Sequence, residues 1–271
     1  MNRLIVRLPL IVTLAAVAAM LAYGPIAQPA RYHDFAAVTA WFGLPHAADV
    51  LSNLGFALVG VWGWLRLAPR SGHPALRDGW WGYRLLLAGL VLTAVGSGWY
   101  HLAPDDYRLI WDRLPIALAC AGLLAAVRAE TVGSRAPREE AALFALLAVA
   151  SVAWWHFTND GGDGDLRPYL LLQGLPLLLI PLWQAIHSAA RAERRLFGAA
   201  LLLYLVAKVV ELLDHQVLAL FGSVSGHTLK HLLATLAAAL IVGCLVRRVA
   251  GRQNTPDRTA VAPAADGRQP G

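Results

Sequence analysis

The chain is short of charge and of cysteine. Only 15% of its 271 residues are charged, where soluble domains carry roughly 25%, and that shortfall excludes an ordinary water-soluble globule. Both cysteines, Cys120 and Cys244, fall inside apolar runs with no neighbour nearby in sequence, so neither a disulfide framework nor a CxxC metal site is indicated. No P-loop, no GxGxxG stretch and no periodic repeat is present, which leaves no support for a nucleotide site or a repeat fold. The formal net charge is +6, yet the basic residues sit in short clusters between apolar runs, as topology signals do, so no nucleic-acid partner is expected.

Apolar length is what the chain has in abundance: 58% of the residues are hydrophobic. A helical span needs about 20 mostly apolar residues, and such runs predict spans at 4–23, 49–67, 83–102, 111–128, 140–157, 168–187, 196–215 and 226–247. The expected fold is all-α, a polytopic transmembrane helical bundle with a seven-helix core plus one N-terminal helix. It divides into an anchor helix and outer loop at 1–48, the core at 49–248, and a tail at 249–271 whose Pro, Ala, Gly and charge predict disorder. The first run, "LIVRLPLIVTLAAVAAM", also has the basic start and apolar middle of a signal peptide. Its apolar stretch is long for one and no clear A-x-A site follows, so an uncleaved anchor is the preferred reading; cleavage would leave seven helices in the same orientation.

Lys and Arg collect in alternate loops, and positive loops stay in the cytoplasm. With the N-terminus inside, the inner loops hold Arg3 and Arg7; Arg66, Arg70, Arg77 and Arg84; Arg128, Arg135 and Arg138; Arg191, Arg194 and Arg195; and Arg247, Arg248 and Arg252. The outer loops hold Arg31, Arg108, Arg113 and Arg167, and one of them is the acidic "NDGGDGDLR". Both termini are therefore expected inside. Short loops and no internal retention signal fit a multi-pass protein of a bacterial cytoplasmic membrane.

Ionisable groups inside a membrane are costly, face the bundle interior and are functional candidates. Ser97 and His101 fall near the outer end of the third span, Asp112 and Arg113 near the outer start of the fourth, and His227, Lys230 and His231 near the outer start of the eighth. Three helices thus present polar groups at one depth. In "SGHTLKH" the histidines are four apart, so on a helix they project from one face and can share an ion. Three neutral imidazoles with an open position for water is the arrangement of a catalytic zinc, which lowers the pKa of its water to about 7 and polarises a carbonyl. Asp112 is placed to accept a proton from that water, and the Ser97 hydroxyl to donate to the oxyanion. The blander readings are a packed HxxxH pair, a headgroup-level His101 among belt aromatics, and an acidic helix start at Asp112; convergence of three helices on one membrane face favours the site.

At these residues the chain resembles the alkaline ceramidase family of the CREST superfamily of membrane hydrolases, which also includes the adiponectin receptors. The matching elements are "DVLSNLGF" at 49–56, "GSGWYHLAPDDYRLIWDRLP" at 96–115 and "SGHTLKHLLA" at 225–234. The resemblance implies a seven-helix core, zinc held by His101, His227 and His231, and Ser97 and Asp112 beside the metal-bound water. It implies hydrolysis of the amide bond of a ceramide-like membrane lipid to a long-chain base and a fatty acid, on the non-cytoplasmic side. Eukaryotic members carry an acidic calcium-binding stretch before the first core helix; here "RYHDFAAVTAWFGLPHAADVLSN" offers only Asp34 and Asp49. Calcium takes six to eight oxygens, so calcium dependence is not expected and a strict ceramide substrate is not implied. A receptor-like or lipid-binding protein with a structural zinc, or a hydrolase of another acyl lipid, are the alternatives.

The seventh span places Lys208, Glu211, Asp214 and His215 in the bilayer, where an ion-paired network locking helices together is expected, with a carboxylate orienting a zinc histidine as the sharper alternative. Lys230, on a different face from the histidines, is expected to meet Asp214, Glu211 or a lipid headgroup. Ser52 and Asn53 are expected to hydrogen-bond across helices, His156 to anchor at the interface, and Pro176 and Pro181 to kink the sixth span.

Overall fold

The structure, a computed structural model, describes residues 3–159 and 163–251. In chain order the helices are α1 (Arg3–Tyr23), α2 (Ala47–Ser52), α3 (Leu54–Leu67), α4 (Trp80–Leu102), α5 (Asp106–Thr131), α6 (Pro137–Thr158), α7 (Arg167–Ile186), α8 (Arg191–Leu212), α9 (Asp214–Phe221) and α10 (Gly226–Gly251). Among the described residues the sole β pairing is an isolated bridge between Trp41 and Leu44. The protein is an all-α polytopic bundle; among the described residues seven helical segments, with α2 and α3 forming one, are long and apolar enough to cross a membrane, or eight if the bent pair α8 and α9 is one span. α10 runs on to Gly251, past the core boundary expected at 248; the rest of the expected tail lies outside the described residues, as do 160–162 of the acidic loop.

Two span boundaries differ from expectation. The run 196–215 is not one helix: α8 stops at Leu212 and α9 leaves at 88°. The break is held by Asp214, whose carboxylate accepts from the backbone N–H of His227 (2.7 Å) and of Ala36 (2.9 Å) and so binds the start of α10 and the segment before α2. Gly226 makes the approach possible, since a Cβ there would stand 2.1 Å from the Val210 carbonyl oxygen. Asp214 and His215 are therefore past the span, and His215 donates to the Asp34 carbonyl rather than pairing with Glu211. The second difference is α5, which starts at Asp106 because Asp105 caps it, accepting from the Arg108 N–H at 2.7 Å. Asp112 is consequently inside the helix, not at its start.

α4 and α5 pack closely along Gly82, Gly89 and Gly96, spaced seven apart on one face of α4. A Cβ on Gly82 would lie 2.3 Å from Ala126 N, and one on Gly96 1.9 Å from the Trp111 carbonyl oxygen. Small residues at the contact are how helices approach without a hydrophobic driving force in lipid. Arg113 is 1% exposed and, with no carboxylate partner among the described residues, packs against aromatic faces: its guanidinium carbon is 4.1 Å from the ring centre of Trp155, 4.9 Å from Tyr32 and 5.5 Å from Tyr169. At the other end of the bundle Arg248 pairs with both Glu130 and Glu193, and Tyr83 donates to Glu130 at 2.8 Å.

The segment 24–46, expected as a plain outer loop, folds over the bundle end. Gln28 donates to Asp106 at 2.9 Å, and His33 bridges Asp106 (3.1 Å) and the Tyr100 hydroxyl (2.8 Å). Between α6 and α7, Asp165 accepts from the Arg167 side chain, Trp154 Nε1 and the Ile26 N–H. Burial alone would push that carboxyl up, but these donors outweigh it and hold it well below the usual carboxylate range.

Candidate metal centre

His101 sits in the last turn of α4, and His227 and His231 in the first two turns of α10. α10 begins where it does because the Ser225 hydroxyl accepts from the Thr228 N–H at 3.0 Å, capping the helix one residue before its first turn. Four-residue spacing then stacks His227 and His231 on one face, and close packing of the bundle end brings His101 against them. One ligand atom from each lies within 4.8 Å of the others, and none of the three histidines is more than 5% exposed. The Nε2 atoms of His101 and His227 are 3.1 Å apart.

The tautomer of His231 follows from its neighbours. Ser52 Oγ donates to the Asp49 carbonyl at 2.9 Å, so it accepts from His231 Nδ1–H at 2.8 Å. That leaves the Nε2 lone pair free for a ligand, the role a histidine's second nitrogen plays in metal sites. Three buried imidazoles are a donor set suited to Zn2+, with His231 the one whose second nitrogen is held, since His101 Nδ1 has no hydrogen-bond partner among the described residues. The Phe35 ring, from the capping segment, lies 4.7 Å from His101 and 4.5 Å from His227 and closes the cluster on that side.

On another side a cavity of about 140 Å3 opens, lined near the histidines by Ser97, Asp112, Lys230 and His231. A water needs only about 10–15 Å3 by the same measure, so there is room for more than a lone solvent molecule. The cavity continues past Leu86 and Leu123 to Ala238 and Ile241, the last being about 15 Å along α10 from His231. Among the described residues, Ser97 Oγ and Asp112 Oδ1 are both buried without a hydrogen-bond partner. Unpartnered buried polar atoms are costly and call for an explanation; a bound ligand in the cavity is one.

Lys230 stands differently from expectation. Its Nζ donates to Glu211 at 2.8 Å and also to His227 Nε2 at 2.9 Å, so it reaches the cluster instead of facing away. Glu211 also accepts from Lys208 at 2.7 Å, which makes the expected network real but ties it to α10. Among the described residues no carboxylate hydrogen-bonds an imidazole of the trio: Asp214 serves the His227 backbone, and Asp49 accepts from the Thr228 hydroxyl at 2.5 Å. Asp34 pairs with Arg31 at 2.5 Å. Ser52 does bond across helices, whereas Asn53 donates within its own turn to the Asp49 carbonyl. His156 is exposed beside Phe157 and away from the cluster.

Phe35 and Ser52 were not singled out as site residues. A serine inside an apolar run was a signal for Ser52; a lone aromatic in a loop carries none for Phe35. No family model matches the chain, and no curated protein or solved structure does.

Proposed function

We propose that the protein is a zinc-dependent membrane hydrolase that cleaves the amide bond of a ceramide or related N-acyl lipid, releasing a long-chain base and a fatty acid. The observation that carries this reading is the convergence of three buried histidines with two unpartnered buried groups, Ser97 and Asp112, on a mostly apolar cavity. The spaced motifs that resemble alkaline ceramidases support the choice of reaction, and an apolar cavity inside a membrane bundle suits a lipid chain.

His101, His227 and His231 would hold the metal. Bound zinc supplies Lewis acidity, polarising a carbonyl and acidifying water near neutral pH. Asp112, whose Oδ1 has no hydrogen-bond partner among the described residues, takes a proton from water as the water oxygen adds to the acyl carbon, and gives it to the amine nitrogen as the C–N bond breaks. Ser97 Oγ–H donates to the carbonyl oxygen as negative charge develops on it. Phe35 and the helices around the cavity keep bulk water from these groups. The basic start of α8 (Arg191, Arg194, Arg195) and the basic end of α10 (Arg247, Arg248) lie away from the histidines, which supports an orientation with both termini inside and the site toward the non-cytoplasmic face.

The test is metal content together with fatty-acid release from a short-chain ceramide, comparing purified wild type with His231→Ala and Asp112→Ala. The reading expects zinc in wild type and in Asp112→Ala but not in His231→Ala, and turnover in wild type alone. Zinc without cleavage of any acyl lipid in a panel would favour a receptor-like protein with a structural metal.

A further inference from the structure

At the end of the bundle away from the histidines, α7 and α8 part around a cleft of about 410 Å3 lined by Pro181, Gln184, Arg191, Arg194, Arg195 and Gly198. Arg195 is about 20 Å along α8 from Lys208, so this cleft is separate from the metal centre. Its openness has a sequence cause: beyond Gly198 there is no heavy atom within 4 Å of where a Cβ would point.

Its charge is one-sided. The acid of the same turn, Glu193, is taken by Arg248 of α10. Among the described residues, Arg191, Arg194 and Arg195 are left without an ion-pair partner. Three cations in the first turns of a helix repel each other and oppose its dipole, and Ala190 gives the helix no side-chain cap. Such a helix start, with free N–H groups and a ring of arginines, is suited to an anion.

A second, independent observation points the same way. Gln184 is 2% exposed and lines the cleft. Its backbone oxygen accepts from the Ala189 N–H, but among the described residues its side-chain amide has no hydrogen-bond partner. The side chain is otherwise enclosed, so its amide is open to the cleft alone, and an oxyanion there would accept from it.

We infer that this cleft binds a phosphate-bearing anion, the headgroup of an anionic phospholipid. Basic pockets between membrane helices at the headgroup level recognise such lipids, and the groove left by Gly198 gives the phosphate a place between helices instead of merely over a charged surface. The inference does not rest on the metal centre.

The test is binding by the full-length protein in neutral detergent, read by native mass spectrometry with phosphatidylglycerol, phosphatidylcholine or inorganic phosphate. Wild type should prefer phosphatidylglycerol over phosphatidylcholine by about tenfold or more, the scale of a few arginine–phosphate contacts. Arg191→Gln/Arg194→Gln/Arg195→Gln should abolish that preference. Gly198→Leu and Gln184→Leu, which keep the charge, should each weaken it at least several-fold, while Arg66→Gln/Arg70→Gln/Arg77→Gln should leave it unchanged. Inorganic phosphate bound with the same dependence on these variants would identify soluble phosphate as the source of the anion. Equal loss in the remote triple variant, or wild-type binding by both charge-preserving variants with unfolding midpoints unchanged, would overturn the site.

Discussion

Removing one hydroxyl outside the trio should weaken the metal centre. Ser52 Oγ accepts from His231 Nδ1–H at 2.8 Å while donating to the Asp49 carbonyl at 2.9 Å, so it both selects the tautomer and aims the ring. In Ser52→Ala the Nδ1–H, on a histidine 3% exposed, loses its acceptor. A buried donor left unsatisfied costs about 1–3 kcal/mol, and every 1.4 kcal/mol or so is about tenfold in affinity. Zinc affinity should therefore fall roughly ten- to hundredfold, the range found when the outer partner of a metal-bound histidine is lost. The assay is competition for zinc against a chromophoric chelator, with Ser52→Thr, which keeps a hydroxyl, expected to recover most of the loss. A dissociation constant for Ser52→Ala within twofold of wild type, when His231→Ala has lost zinc, would refute the tautomer argument.

Three further outcomes are expected. Ala238→Phe fills the far part of the cavity, about 10 Å along α10 from His231, so on the proposed hydrolase reading cleavage should shift toward shorter acyl chains with metal content unchanged; an unaltered chain-length profile would count against an acyl chain in this cavity. Gly96→Ala puts a methyl 1.9 Å from the Trp111 carbonyl oxygen, forcing α4 from α5 at a cost of about 1–3 kcal/mol, and a thermal midpoint in detergent equal to wild type would contradict that contact. Asp165, its carboxyl held low by Arg167, Trp154 and Ile26, contributes stability that is fully present above the unfolded pKa of about 3.9 and fades as pH falls through the lower folded value. Asp165→Asn should thus melt below wild type at pH 7 and pH 5, with the gap closing only below about pH 4; a gap that closes between pH 7 and 5 would rule this out.

Long apolar runs were enough to place most of the helices, because a stretch of about 20 apolar residues has few alternatives to a membrane helix. The exception shows what such a count cannot see. The run 196–215 reads as one span, but Asp214 finds its partners in the backbone of His227 and Ala36, and contacts between segments so far apart leave no local periodicity. α5 is the converse case, since Asp105 with a second acid, Asp106, in the following turn is a visible cap signal that starts the helix before Asp112.

The trio was legible for a geometric reason: four-residue spacing on α10 fixes two histidines on one face, and His101 at the end of α4 falls at the same depth. What surrounds the trio was not. Lys230 was expected on a different face from the histidines, yet it stands three residues after His227, a neighbouring position on a helix, and its Nζ reaches His227 Nε2 and Glu211. Metal and ammonium would compete for one lone pair there, and the bond to Glu211 gives Lys230 somewhere to remain when it yields. The histidine spacing therefore specifies which atoms can hold an ion, whereas how tightly they would hold one depends on Ser52, Lys230 and Phe35, which come from three different parts of the chain.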